Sequence, residues 1–352
     1  MIGAVLSHEE LQQRIDALPR QRLAVLPTGI QSLPRLALSA GVSELLVKRD
    51  DLTGLGLGGN KTRLLEFILG DALASGCDVL VAGGGGEQSN HAVQCVAAAN
   101  RVGMDAVVVL QERPDKRSNG NALLHEVFGG KTIWIDSDPG FSDRTSASER
   151  MHDEANQLRF SGRNPYILES SLHPLSVVAY VDAAVELYGQ LKAFSANPAR
   201  VYVTSEGAAL GGLVLGSRAL GLPWEVIGLD WRPTQDLVIK RLHAAVEAAA
   251  EMLGLEDVPA ESDFTIHPSG GPAYGVGRTE SWAALGDAAR MEGLLVDPVY
   301  TAKGLAGMLE DLKRRPVEDG GSIVFVHTGG LGAIFAYEGE LRRHVINIRS
   351  SQ

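Results

Sequence analysis

The chain has 352 residues, of which 45% are hydrophobic and 21% charged, with a net charge of −11. That length exceeds one minimal domain and indicates two domains or one large α/β unit. The acidic balance argues against a nucleic-acid partner, and no apolar run reaches the roughly 18 residues of a membrane span.

The N-terminus lacks a basic stretch followed by an apolar core and reads as a lead into a helix, with Ser7 and Glu10 at capping-box spacing. Residues 43–48 read as a strand. Gly54, Gly56 and Gly59 then have the spacing of a dinucleotide fingerprint. Lys48-Arg49-Asp50-Asp51 stands where that fingerprint needs an apolar strand, so the nucleotide reading is weak. A helix follows over 61–75, a short buried strand over 79–82 and a helix over 91–102. Strand, helix and strand follow at 106–110, 119–127 and 132–135, with polar loops at 114–118 and 136–144. Further strands are predicted at 200–204, 225–230 and 322–327, and long helices at 182–193 and 235–253. Apolar strands alternating with helices indicate parallel sheets covered on both faces. Cys77 and Cys95 lie in apolar surroundings without metal-ligand spacing and read as buried free thiols. No metal site is expected, and the cytoplasm is the expected compartment.

Three turns carry the chemistry. Gly58-Gly59-Asn60-Lys61 places one lysine between a glycine turn and a helix. Alone, such a lysine is a solvated charge. Close behind, Gly83-Gly84-Gly85-Gly86-Glu87-Gln88-Ser89-Asn90-His91 leads from a strand into a helix. Its backbone N–H groups and helix dipole favour an anion, although Ser89 and Asn90 are also ordinary N-cap residues. An amine that can reach a carbonyl carbon, beside a seat for a carboxylate, is what a lysine–carbonyl linkage to an amino-acid substrate requires. The third turn, Thr204-Ser205-Glu206-Gly207-Ala208-Ala209, follows an apolar strand and opens an apolar helix. It suits either a phosphate or close helix–strand packing. Tyr274, Tyr300, Thr301 and Thr328 lie on turns at strand ends, where α/β sites gather.

Together these segments resemble the D-cysteine desulfhydrase and 1-aminocyclopropane-1-carboxylate deaminase family, pyridoxal-phosphate enzymes of the tryptophan-synthase-β fold type. The densest match runs from Val47 through Lys48-Arg49-Asp50-Asp51-Leu52-Thr53-Gly54 to Gly58-Gly59-Asn60-Lys61-Thr62-Arg63. Gln88-Ser89-Asn90-His91, Asp297-Pro298-Val299-Tyr300-Thr301 and His327-Thr328-Gly329-Gly330 add to it. The resemblance implies an α/β fold of two domains, each an open, mostly parallel sheet flanked by helices. The large cofactor domain would comprise 1–60 and 176–352, and the small domain 61–175. Lys61 would form the Schiff base with pyridoxal 5'-phosphate and later move the substrate α-proton. Asn90 would bond the cofactor's phenolic oxygen. Ser89, Asn90 and His91, with Gln88 in the same segment, would hold the carboxylate of a small amino-acid substrate. Tyr274 and Tyr300 would flank that substrate, Thr301 or Thr328 would face the pyridine nitrogen, and Gly207, Ala208 and Ala209 would lie at the phosphate. A homodimer is also implied.

A threonine cannot supply the negative charge that keeps a pyridinium protonated. The ring is then a weaker electron sink, which suits prompt loss of a β-substituent. The deaminase branch carries a glutamate where Thr301 stands, so elimination from cysteine or a similar amino acid fits better than opening of a cyclopropane. Opening of the cyclopropane, cysteate desulfonation and a non-catalytic binding role are the alternatives. Three departures bear on the substrate. Ala208 and Ala209 replace hydroxyl residues at the phosphate turn, where Glu206 adds a carboxylate. Ser170-Ser171-Leu172-His173-Pro174 replaces Gly-Gly-Ser-Asn-Pro, and Glu87 replaces an apolar residue.

Overall fold

The computed structural model describes residues 5–111, 119–136, 145–230, 236–269, 271, 273–317 and 321–346. The predicted loop at 114–118, most of that at 136–144, the first residue of the helix predicted at 235–253, and Gly270 and Pro272 lie outside the described residues.

The strands are β1 (Ile30–Ser32), β2 (Glu44–Lys48), β3 (Val79–Gly86), β4 (Asp105–Gln111), β5 (Lys131–Ile135), β6 (Pro165–Leu168), β7 (Pro198–Val203), β8 (Glu225–Asp230), β9 (Thr265–Pro268) and β10 (Ser322–Val326). They form two sheets. One has six strands in the order β1-β2-β10-β7-β8-β9, and the other has four in the order β5-β4-β3-β6. All pairs are parallel except β1 with β2. β10 is wholly buried at the middle of the larger sheet and joins β2 to β7, with Phe325 opposite both Val47 and Tyr202. Strands this apolar survive only when covered on both faces. Three strands had no sequence signal: β1, β6 and β9 have three or four residues each and only partial burial. The strand expected to stop at 82 instead continues through the glycines to Gly86, with its register against β4 shifting between Gly83 and Gly86.

The helices are α1 (His8–Asp16), α2 (Pro34–Ala40), α3 (Lys61–Ala74), α4 (Asn90–Val102), α5 (Asn121–Val127), α6 (Thr145–Phe160), α7 (Pro174–Ala193), α8 (Ala208–Ala219), α9 (Asp236–Met252), α10 (Thr279–Glu292), α11 (Thr301–Arg314) and α12 (Glu338–Leu341). Ser7 and Glu10 form the expected capping box on α1. No helix among the described residues is long and apolar enough to cross a membrane. α7 and α8 lie against each other at the centre of the main core. A Cβ on Gly212 would fall 2.4 Å from the Val177 carbonyl oxygen, so only glycine permits that approach.

A buried ionic network joins β2, α3 and α7. Arg63, 1% exposed, donates to both carboxylate oxygens of Asp50 (3.0 and 2.9 Å) and to both of Glu186 (3.0 and 2.7 Å). Lys48 bonds Glu186, the Thr28 carbonyl (2.7 Å) and Gln190 (2.6 Å). Tyr180 and Thr28 donate to Asp50 at 2.9 and 2.7 Å. Two cations thus meet two anions, with most lone pairs engaged, which is the condition for a buried ionic group to persist. Burial acts to raise the Asp50 carboxyl, but Arg63 and Lys48 outweigh it and hold the group below the usual carboxylate range. Removing one member leaves an uncompensated buried charge. Arg63→Ala is therefore expected to lose about 3–5 kcal/mol of stability, read as a lowered urea midpoint. The part contributed by ionised Asp50 is present at neutral pH and fades as pH falls through its depressed value.

Candidate active site

Lys61 is the first residue of α3, and the turn before it is tightly specified. Gly58 has φ of +77°, and a Cβ there would fall 2.0 Å from the Asp51 carbonyl oxygen. Gly59 packs on Gly329 so closely that a Cβ on Gly329 would lie 2.5 Å from the Gly59 Cα. The Asn60 N–H donates to the Thr328 carbonyl (2.9 Å), the Thr53 hydroxyl to the Gly59 carbonyl (2.7 Å), and the Thr62 hydroxyl to Gln94 (2.8 Å). The head of α3 is thereby fixed to the end of β10 and to α4. The Lys61 amine itself has no hydrogen bond among the described residues. Burial pushes its pKa below the ordinary lysine value, against the opposing pull of Glu206 and Cys95.

The turn from β3 into α4 lies beside it. Gly84 and Gly85 take φ of +123° and +79°, which leads the chain into the Ser89 cap, whose hydroxyl accepts from the Ala92 N–H at 3.2 Å. The Asn90 amide nitrogen would be 2.5 Å from a Cβ on Gly59 and 3.5 Å from one on Gly329, so Asn90 reaches over the lysine turn. Burial, with Lys61 nearby, lowers the His91 imidazole to about 3, which makes it neutral. Its ring nitrogens lie 3.6 and 3.7 Å from the Cys95 sulfur. Gln88 is directed elsewhere. Its amide donates to the Asn119 carbonyl (3.0 Å) and accepts from the Asn121 N–H (2.9 Å), so it clamps the start of α5.

The third turn runs from β7 into α8. Gly207 is the cap residue, and its N–H is taken by the Ser205 hydroxyl at 3.1 Å. The N–H groups of Ala208 and Ala209, first in the helix, have no intrahelical partner. The Thr204 hydroxyl is buried without a hydrogen-bond partner among the described residues. The altered 170–174 segment is adjacent: a Cβ on Gly207 would lie 3.9 Å from Leu172, and His173 caps α7 by accepting from the Leu175 N–H. Glu206 is within electrostatic reach of both Lys61 and Tyr300.

The Tyr300 hydroxyl donates to that of Tyr274 at 3.0 Å, with the rings edge to face. The Tyr274 oxygen is 3.8 Å, and the Ser89 oxygen 3.2 Å, from the place a Cβ on Gly85 would occupy. The tyrosine pair therefore converges on the start of α4. Burial raises the pKa of both phenols, keeping them protonated. The two threonines differ. Thr301 donates its hydroxyl to Asp297 at 2.7 Å, and Asp297 also accepts from the N–H groups of Val299, Tyr300 and Thr301. Thr328 has no hydroxyl partner among the described residues. Its neighbour His327 donates from Nε2 to the Leu295 carbonyl (2.7 Å) and accepts the Gly329 N–H at Nδ1 (3.2 Å), which holds the Thr328-Gly329 turn.

Sequence reading missed Asp297 and His327 as the groups that set these turns, although an aspartate followed two residues on by its own turn N–H groups is a recognisable Asx-turn signal. Among the described residues no cluster of His, Cys, Asp or Glu is arranged to hold a metal ion. The donor set fits pyridoxal phosphate. A desolvated amine stands ready for the carbonyl, unpaired helix N–H groups and the Thr204 hydroxyl suit a phosphate, and the open Thr328 hydroxyl suits an unprotonated ring nitrogen.

Comparison with known proteins agrees with that fit. Residues 21–329 match the pyridoxal-phosphate dependent enzyme family. A Pyrococcus abyssi protein named "Putative 1-aminocyclopropane-1-carboxylate deaminase" is 36% identical over 95% of this chain and 98% of its own. A D-cysteine desulfhydrase of Klebsiella pneumoniae is 33% identical over 94% of this chain and 99% of its own. A crystal structure of an ACC deaminase homologue superposes with a TM-score of 0.86 at 32% identity, covering 96% of this chain and 99% of that one. With the lysine turn, the anion seat and the matched length all in one chain, this protein belongs to the pyridoxal-phosphate dependent enzyme family.

Proposed function

We propose that this protein is a lyase that carries out α,β-elimination on a small amino acid such as D-cysteine, releasing the β-substituent, a keto acid and ammonia. The carrying observation is the Lys61 amine, desolvated, without a hydrogen-bond partner among the described residues, and electrostatically linked through Glu206 to the Tyr300 side of the site. Pyridoxal phosphate, when bound, supplies the carbonyl that takes the substrate amine and a sink for the α-carbon's electrons. The site residues divide the remaining work. Ser89, Asn90 and His91, at the positive end of α4, hold the substrate carboxylate. Lys61 accepts the α-proton, because burial favours its neutral form. The hydrogen-bonded pair of Tyr300 and Tyr274 supplies the acid, one of the two phenols donating a proton to the leaving group. The Cα–H and Cβ–X bonds break, a Cα=Cβ bond forms, and water then converts the enamine to keto acid and ammonia. Thr328 would face the ring nitrogen, and its uncharged hydroxyl would leave the sink weak, which favours prompt loss of the leaving group. Ala208 and Ala209 would present free helix N–H groups to the phosphate, with Gly207, whose N–H is taken by Ser205, forming the turn beside it.

The Pyrococcus abyssi relative's name supports a second reading on the same site, opening of a cyclopropane amino acid. Against it, the Thr301 position offers no carboxylate, and its hydroxyl is engaged by Asp297. We further propose a cytoplasmic homodimer. The two cysteines are free thiols, which suits a reducing compartment. Val25, Leu57, Leu123 and Val127 expose apolar side chains (67, 49, 45 and 69%) on segments that adjoin through Gly54 against Val25 and Gly56 against Phe128.

Lys61→Ala is expected to lose the visible absorbance band of the bound cofactor and at least about a hundredfold in turnover. Full activity in that variant refutes the role. The apo-protein should capture added pyridoxal phosphate faster as pH rises, with a midpoint below the ordinary lysine value of 10.5, as read by the growth of that band. Among D- and L-amino acids, D-cysteine should yield pyruvate and sulfide. Oxobutanoate from the cyclopropane substrate, or sulfite from cysteate, would reassign the substrate, and no keto acid from any would favour a binding protein. Light scattering should give twice the chain mass.

A further inference from the structure

Tyr274 lies on the segment between β9 and α10, and one buried amine occupies the inside of that segment. Lys303, in the first turn of α11 and three residues beyond Tyr300, is 0% exposed. Its Nζ donates to the Ala273 carbonyl at 3.2 Å, next to Tyr274. A Cβ on Gly271 would lie 2.9 Å from that nitrogen and 2.6 Å from the Val276 carbonyl oxygen, so Gly271 is the residue that makes room for it. Ala273 and Val276 form a bridge, with the Val276 N–H donating to the Ala273 carbonyl at 3.2 Å. The same carbonyl therefore closes the loop and receives the amine. Among the described residues Asp297, Arg278 and Asp230 act electrostatically on Lys303, and Arg278 is ion-paired with Glu310 at 2.7 Å. Burial lowers the amine to about 8 against the carboxylates. A long apolar side chain would fill this volume without desolvating a charge, so a purely spatial role does not account for a lysine here.

We propose that Lys303 is a positioning residue whose amine ties the Tyr274 loop to the helix that carries Tyr300, and so sets the tyrosine pair against the substrate. Both tyrosines are then fixed from one helical turn: Asp297 caps the turn behind Tyr300, and Lys303 reaches back from it to hold Tyr274. The catalytic consequence rests on the lyase reading above, whereas the loop anchoring does not.

The test compares Lys303→Met and Lys303→Arg in the cofactor-loaded protein. Methionine keeps the length and suits an apolar site, whereas arginine keeps donors and charge but is larger. Anchoring by the amine gives Lys303→Met a kcat lowered about tenfold or more with KM changed little, and higher activity for Lys303→Arg. A packing role alone gives the reverse order. Amide exchange over residues 273–277, read in the resting protein without substrate, should quicken in Lys303→Met while exchange in α3 and α4 stays as in the parent. Unchanged exchange over 273–277, or a methionine variant more active than the arginine one, overturns the proposal. If the parent turns over no amino acid, the lyase reading fails and the exchange comparison still decides the anchoring. If Lys303→Met does not fold, parent-like exchange over 273–277 in Lys303→Arg supports the anchoring, and faster exchange overturns it.

Discussion

The position of Lys61 depends on the guanidinium two residues after it. Arg63 is locked between Asp50 at the end of β2 and Glu186 on α7 by four hydrogen bonds. A helix held only by apolar packing can rotate or slide by a fraction of an ångström at small cost. Paired, desolvated charges at fixed fork geometry resist such motion, because each misplacement leaves a buried charge poorly matched. The amine of Lys61 inherits that precision. The glycine turn before it adds a second restraint, since its backbone lies in contact with the backbone after β10. Reactive groups need this kind of support to hold a productive geometry.

The site balances anions against a limited set of donors. Glu206 stands next to the turn that would carry a phosphate, and its field reaches Lys61 and Tyr300. For Lys61 it opposes desolvation and favours the ammonium form. For Tyr300 it favours the protonated phenol, which is the form an acid requires. The positive ends of α4 and α8, with unpaired N–H groups, oppose the accumulated negative charge. His91, neutral at physiological pH, adds a hydrogen-bonding group without adding charge.

Much of this was legible in the sequence where local chemistry dictates the outcome. The strands at 43–48 and 322–327 are apolar because they are covered on both faces, and the lysine turn announced itself through glycines that take positive φ. Parallel sheets covered by helices followed from the alternation of such strands with helices, and their division into two sheets from the family resemblance. The short strands β1, β6 and β9 were not legible, because three or four residues of mixed burial carry no period. The roles of Gln88 and Thr301 also escaped sequence reading. Each sits inside a motif that faces the site, yet a partner distant in sequence or on the preceding turn takes up its side chain: Asn119 and Asn121 for Gln88, Asp297 for Thr301. Lys48, Arg49, Asp50 and Asp51 looked like a polar interruption after a strand. Arg49 pairs with Asp51 and Asp50 with Arg63, while Lys48 is met by Glu186, more than a hundred positions away.

The place of β10 in the larger sheet sets the order in which the molecule can be completed during synthesis. β2 and β7 do not pair with each other; each pairs with β10, which is made more than a hundred residues after β7. Until then the middle of the sheet presents two unsatisfied edges, and the lysine turn lacks both the Thr328 carbonyl and its contact with Gly329. A nascent chain can therefore form α3 with its ion pairs to Asp50 and Glu186 well before it can assemble a cofactor site. The site can be completed only after β10 has been made, long after the lysine turn and α3.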